Sequence, residues 1–241
     1  MQQIAGVLLD VDGTLVDSND AHAWAWFRAI YEAGFPVDYP TIRKLIGKGG
    51  DKLLPEAIGI SATSSEGKAI SKRRGEIFEL EYLPSVKPFP FVKELLHRMK
   101  REGLKLAVAS SAKEEELKPL LRICGAEEFI ETSTSVDDAN RSKPDPDIIQ
   151  AALRQLKASP SQTLLLGDTP YDIEASHRAG LNAVALRCGG WRDADLQKAL
   201  AIYDSPADLL LRFDESPFKT STKGAKKIRV SEWASYPSNS W

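Results

Sequence analysis

Residues Leu8 to Ser18 read LLDVDGTLVDS: an apolar run that ends in two carboxylates two positions apart, followed at once by a glycine and a threonine. Ile4 to Leu9 has the composition of a buried strand. Side chains alternate along an extended backbone, so Asp10 and Asp12 project on one side of it. Two like charges at that spacing repel, and each costs free energy to desolvate. A strand that ends this way therefore requires a compensating group from elsewhere in the chain.

Beyond the first strand the pattern turns helical. Trp24, Phe27, Ile30 and Tyr31 recur at spacings of three and four, and Gly34 is placed to end that helix in a left-handed conformation. Further helices are expected at Tyr39 to Ile46, Lys52 to Ala57 and Ser65 to Tyr82. They form a helical block of about seventy residues behind the first strand.

From Val86 the pattern changes again. Pro88 and Pro90 precede a helix over Phe91 to Glu102, and LKLAVAS, Leu104 to Ser110, is a short apolar run suited to a strand buried on both faces. A helix over Glu114 to Ile123, a short strand near Phe129 to Glu131 and a helix after Pro146 follow, with Asp145 as its cap and Pro146 at its first position. TLLLGD, Thr163 to Asp168, repeats the opening: an apolar run, an acid, then a helix over Tyr171 to Arg178. Strands at Leu181 to Leu186 and Ala201 to Tyr203 and a helix at Pro206 to Leu211 complete the pattern. Strands alternating with helices define an α/β fold with a doubly wound parallel sheet. The domain expectation is a core over 1–16 and 88–214, an inserted all-helical unit over 17–87, and a weakly ordered extension over 215–241.

The 241-residue chain is 42% hydrophobic and 27% charged, with a formal net charge of -2, an ordinary globular balance without global attraction to nucleic acid or anionic membrane. No stretch approaches the roughly 20 apolar residues of a membrane helix, and the first residues lack the pattern of a signal peptide, so a cytoplasmic location is expected. Cys124 and Cys188 sit in no paired motif and read as small apolar residues. Lys219, Lys223, Lys226, Lys227 and Arg229 make the tail locally basic, a solvated face rather than a nucleic-acid site, anchored at most through Trp233 or Trp241.

Ligands of open α/β sheets bind beyond the carboxyl ends of the strands. That rule brings Asp10, Asp12, Ser110 and Asp168 to one crevice with the loop residue Lys143. Three acids repel unless a hard cation joins them, and oxygen donors without clustered His or Cys favour magnesium over zinc. A lysine and a hydroxyl beside that ion call for an anionic substrate, such as a phosphoryl group. A calcium loop is disfavoured because Gly13 falls too early, and each of Asp168 and Asp172 read singly is also a helix-capping acid.

DVDGT at Asp10 to Thr14, the strand ending at Ser110, SKPDPD around Lys143 and GDTPYD at Gly167 to Asp172 occur in the order found in the haloacid dehalogenase superfamily, which the chain resembles from about Ile4 to Leu211. The resemblance implies a Rossmann-like core and magnesium-dependent phosphoryl chemistry. Asp10 would be the nucleophile, becoming an aspartyl-phosphate, and Asp12 would protonate the leaving oxygen and then activate water. Magnesium would lie between Asp10 and Asp168, with the Asp12 carbonyl as a further ligand. Ser110, with Ser111 beside it, would hold phosphoryl oxygens, and Lys143 would bridge that group and the nucleophile. Asp172 would support the metal or orient Lys143, and Gly13 and Thr14 would shape a turn presenting amides to phosphate.

The helical block resembles the cap of one branch, that of phosphoglycolate phosphatases and β-phosphoglucomutases. There His22 matches a position facing the site, and Lys48, in LIGKGGDKLL, lies on a loop reaching toward substrate. Mutases of that branch usually carry an arginine near Gly50, which glycine cannot replace; Lys72, Arg73 and Arg74 are expected on a solvated face. Asp12 argues against carbon-halogen hydrolysis, while a Schiff-base role for Lys48 in phosphonate cleavage stays open. The leading expectation is a phosphatase acting on a small phosphorylated metabolite. A sugar-phosphate mutase is the alternative, with a regulatory phosphate binder behind it; substrate and oligomeric state stay open.

Overall fold

In the computed structural model, which describes residues 3–220, six parallel strands form one sheet in the order β3-β2-β1-β4-β5-β6. They are β1 (Gly6–Leu9), β2 (Lys105–Ala109), β3 (Thr132–Thr134), β4 (Thr163–Gly167), β5 (Asn182–Leu186) and β6 (Ala201–Tyr203). The helices are α1 (Asn19–Glu32), α2 (Tyr39–Leu45), α3 (Gly50–Ile58), α4 (Ser65–Ile77), α5 (Val92–Arg101), α6 (Glu114–Ile123), α7 (Asp147–Leu156), α8 (Pro170–Arg178), α9 (Asp193–Leu196) and α10 (Pro206–Leu211). A π-helical turn, Phe78–Tyr82, continues α4 to the expected end of that helix.

Both faces of the sheet are covered, which is why its central strands are continuous apolar runs. Val7, Leu9, Leu106, Val108, Leu164 and Leu166 pack with α5, α6 and α10. The alternate residues Leu8, Ala107, Ala109 and Leu165 pack with α7 and α8. Register aligns Leu9 with Val108 on one side and with Leu166 on the other. The carboxyl ends of β1, β2 and β4 are therefore level, and the strand order reverses between β1 and β4, where such sheets open a crevice.

Several details differ from the sequence expectation. The third strand lies at Thr132–Thr134 rather than near Phe129 to Glu131, because Phe129 closes a turn onto Ala126 (2.9 Å) and pairing with β2 begins only where Glu131 N–H donates to the Leu106 carbonyl (2.9 Å). Asp145 does not cap α7. Its carboxylate pairs with Lys52 (2.7 Å) and Arg178 (3.1 Å), and Pro146 occupies the cap position.

On α1 the aromatic stripe is not the buried face: Trp24 and Tyr31 are 44% and 68% exposed, whereas His22, Ala23, Trp26, Ala29 and Ile30 face inward. Alanines allow α1 to approach its neighbours closely. Trp24 instead stacks on Tyr39, ring centres 4.3 Å apart. Gly34 has φ +85° directly after the helix, as expected.

The chain also stays packed past residue 215. Ser216, Phe218 and Thr220 are buried, and Thr220 Oγ1 (2.8 Å) and Lys219 Nζ (3.1 Å) donate to the carboxylate of Glu102 on the core. The expected weakly ordered extension is thus corrected as far as Thr220; the tail's remaining basic residues and its two tryptophans lie outside the described residues. Among the described residues no helix is long and apolar enough to cross a membrane.

Candidate active site

Asp10 leaves β1 as it leaves the sheet: its amide still donates to the Leu166 carbonyl of β4 (2.9 Å), which places its carboxylate between β2 and β4. Lys143 arrives from the loop before α7 and is 1% exposed, with Nζ 2.5 Å from Asp10 Oδ1 and 2.6 Å from Asp172 Oδ1. Asp168 follows β4 and is fully buried. The Thr14 hydroxyl lies 3.1 Å from Asp10 Oδ2 and 3.2 Å from Asp168 Oδ1, tying the two acids together.

Residues after Asp12 form a tight turn. Gly13 has φ +76°, a region where a side chain is strained, and a Cβ there would lie 2.4 Å from Asp168 Oδ2. One expectation is corrected here: the Gly13 amide donates to Val16 (2.8 Å) and the Thr14 amide to Val11 (3.2 Å). Both are consumed in closing the turn, so Thr14 serves the site through its hydroxyl.

Asp10, Asp168 and Asp172 each offer an oxygen within 4.8 Å of the others. Three acids face one lysine, so the group is short of positive charge. Burial, and then the neighbouring Asp172 and Asp12 carboxylates, push the Asp10 carboxyl up from 3.8 to about 7, although Lys143 opposes the rise. Burial, followed by the charges of Asp10 and Asp172, drives Asp168 well above the ordinary range. Burial works against the charge on Lys143, yet Asp10 and Asp172 outweigh it and raise the ammonium's pKa.

An oxygen-only, desolvated and charge-deficient donor set fits a hard divalent cation. All three carboxylates already carry partners, Asp10 through Lys143 and Thr14 and Asp168 through Thr14 and Asn19, while Asp172 ties the cluster to α8. Its Oδ2 accepts from the Thr169 amide (3.0 Å) and hydroxyl (2.7 Å) in the capping box of α8, and its Oδ1 meets Lys143.

Asp12 is set apart from this cluster. Its Oδ1 accepts from Ser18 Oγ (2.5 Å) and lies 2.8 Å from His22 Nε2, while His22 stacks on Phe78 with ring centres 3.9 Å apart. Burial alone would raise the Asp12 carboxyl, but His22 and Ser18 hold it below the usual range. His22 thus engages the second acid. At the end of β2, Ser110 Oγ accepts from the Ala112 amide (3.0 Å), which leaves its own hydroxyl proton to donate. Ser111 lines the adjacent cavity with a buried Oγ that has no hydrogen-bond partner.

Lys48 does not join this group. Its Nζ pairs with Glu56 (2.5 Å) and lies over the Tyr171 ring at 4.5 Å. The basic stripe on α4 also divides: Lys72 and Arg73 are at the surface, but Arg74 is buried, pairs with Glu116 of α6 (2.6 Å) and lies over the Trp26 ring. Cys124 and Cys188 are not activated thiols, since burial pushes them up to about 11 and about 12.

Sequence reasoning missed two supports. Asn19, at the start of α1, donates through Nδ2 to Asp168 Oδ2 (2.8 Å) and to the Gly189 carbonyl (3.0 Å). Gly189 packs so closely that a Cβ would lie 1.8 Å from Asp168 Oδ2. The only sequence signal for Asn19 is its place beside the helix start in DSND. For Gly189 it is the GG pair after β5.

Residues 7–186 match the haloacid dehalogenase-like hydrolase family. The chain is 31% identical to the phosphoglycolate phosphatase of Aquifex aeolicus, over 86% of this chain and 96% of that protein. It is 30% identical to the validoxylamine A 7'-phosphate phosphatase of Streptomyces hygroscopicus subsp. limoneus, over 74% and 84%. The crystal structure of a hydrolase from Pseudomonas syringae superposes with a TM-score of 0.81 at 28% identity, covering 88% of this chain and 98% of the other.

Proposed function

The chain belongs to the haloacid dehalogenase-like hydrolases, and from that premise we propose that it is a phosphatase that hydrolyses the phosphate monoester of a small metabolite through Asp10. The observation that carries the reading is the buried Lys143–Asp10 contact of 2.5 Å inside an acidic cluster short of cations. That arrangement orients the Asp10 carboxyl toward Lys143 and leaves the cluster short of positive charge, a deficit that a divalent cation would offset so that the carboxylate can attack an anion.

In this reading an Asp10 carboxylate oxygen attacks phosphorus, the bond from phosphorus to the leaving oxygen breaks, and an aspartyl-phosphate forms. Asp12 gives its proton to the departing oxygen. Asp12 must first take up the proton it delivers, since, against the effect of burial, His22, whose Nε2 lies 2.8 Å from Asp12 Oδ1, and Ser18 hold its carboxyl below the usual range. Asp12 then takes a proton from water, which attacks phosphorus and releases phosphate, restoring Asp10. Lys143 and the Ser110 hydroxyl hold the phosphoryl oxygens. Asp10 and Asp168 would hold magnesium, whose charge offsets that of the transferring group. The helical segment from α1 to α4 acts as a cap that limits water during the first step.

The names of the relatives do not select a substrate, because one refers to a two-carbon acid phosphate and another to a large cyclic one. The test is release of phosphate from p-nitrophenyl phosphate with magnesium by the wild type and by Asp10→Asn. Activity in the wild type and none in the variant is expected; retained activity in the variant would remove Asp10 from the nucleophile role. Acid-quenched phosphoenzyme separates the mutase alternative, since a mutase holds the intermediate and a phosphatase loses it to water.

A further inference from the structure

Between α4 and the start of α6 lies a cavity of about 670 Å³, reaching from Trp26 and Gly50 to Ser111. Of its lining, Ser111 follows Ser110 and Phe78 stacks on His22, so the cavity borders the candidate site; that it takes the part of a substrate beyond its phosphate rests on the phosphatase reading. Its volume is within the range that accepts a ring-sized ligand and far exceeds a two-carbon chain.

The charge lining this cavity is not that of an anion site. Four lysine or arginine side chains face five aspartate or glutamate side chains. The most buried cation, Arg74, is 8% exposed and already neutralised: its Nη1 lies 2.6 Å from Glu116 Oε2, and Glu116 is itself 9% exposed. The guanidinium is fixed in place over Trp26, 4.8 Å from the ring centre. A second carboxylate or phosphate on the substrate would meet the buried Glu116 as a like charge.

The unpartnered hydrogen-bonding atoms of the lining residues are a second, different indication. Arg74 Nε and Ser111 Oγ are both buried and without a partner. Together with the Glu116 carboxylate they offer a donor, a donor-acceptor and an acceptor. Hydroxyl groups, which both donate and accept, satisfy all three, whereas a carboxylate only accepts.

We propose that this cavity receives a neutral polyhydroxyl group, so that the substrate is the monophosphate of a sugar or cyclitol rather than a phosphorylated carboxylic acid or a bisphosphate. Glu116 is the residue that enforces the choice, by holding the Arg74 charge and by excluding a second anion.

The experiment compares kcat/KM, with magnesium, for a panel of hexose 1- and 6-phosphates and inositol 1-phosphate against 2-phosphoglycolate, with p-nitrophenyl phosphate as control. The best polyol phosphate is expected to exceed 2-phosphoglycolate at least tenfold. Glu116→Gln frees the Arg74 charge and is expected to shift the ratio about tenfold toward 2-phosphoglycolate; the ratio is read within each protein, so any general loss cancels. A wild type that prefers 2-phosphoglycolate, or a ratio unmoved by the substitution, overturns the proposal. If even p-nitrophenyl phosphate is not hydrolysed, the phosphatase reading fails instead. Calorimetric binding of the same compounds then reads the preference of the cavity without turnover, tighter binding of 2-phosphoglycolate being the refuting result.

Discussion

Replacing Asp10 by Asn should make the metal-free protein more stable at neutral pH, and the gain should depend on pH. In the folded protein the Asp10 carboxyl has a pKa of about 7, against 3.8 for an ordinary aspartate. Between those values the folded chain holds a proton that the unfolded chain has released. Stability therefore falls as pH rises through the window, the opposite of the usual carboxylate behaviour.

A difference of about three units at 1.36 kcal/mol each amounts to about 4 kcal/mol, lost in full above about pH 7. Asp10→Asn removes this titration while Lys143 keeps Asp172. Urea unfolding of both proteins in a chelator at pH 4 and pH 8 gives the comparison. The stability difference should move by about 4 kcal/mol in favour of the variant on going to pH 8, and millimolar magnesium should stabilise the wild type more than the variant. A difference that is flat with pH, or a wild type that is the more stable protein at pH 8 in chelator, refutes the charge-deficit argument.

Other substitutions probe neighbouring parts of the same construction. Lys143→Met leaves Asp10 and Asp172 buried without their cation, and should cost about 3–5 kcal/mol of stability in chelator and abolish phosphate release from p-nitrophenyl phosphate. Gly189→Ala inserts a Cβ against Asp168 and should raise the magnesium concentration for half-maximal activity by roughly 10- to 100-fold, as read from a metal titration. Glu102→Gln tests the packed chain end. Burial opposes the charge on Glu102, but Arg98, Thr220 and Lys219 hold its carboxyl down to about 2, so it contributes about 3 kcal/mol that is present above about pH 4.5 and lost as pH falls toward 2. Urea unfolding of wild type and variant should differ by about that amount at pH 7 and converge in strong acid.

The sheet and the acid cluster were legible because their causes are local. An apolar run that ends in an acid and a turn reads as a strand delivering a carboxylate to its carboxyl edge, and the rule for open parallel sheets then brings Asp10, Ser110, Lys143 and Asp168 together without any distance being known. Docked surfaces were another matter. In α1 the spacing of Trp24, Phe27 and Tyr31 fits a buried stripe as well as the true inward face does; small alanines decided which side approaches α4. In α4, Lys72, Arg73 and Arg74 are equivalent in sequence, and only helix rotation turned Arg74 inward to Glu116 and left its neighbours in solvent.

LLDVDGTLVDS thus dictates a strand, its turn and two acids at its end, because alternation along an extended backbone and the geometry of a tight turn need no partner. The surroundings of those acids are set by residues far away in the chain. Lys143 is 133 residues from Asp10, and Asn19 is 149 residues from Asp168. Whether a buried carboxylate is paired, starved of charge or held for proton transfer depends on distance through a low-dielectric interior, and only the docking of α1, α4 and the Lys143 loop against the sheet sets those distances.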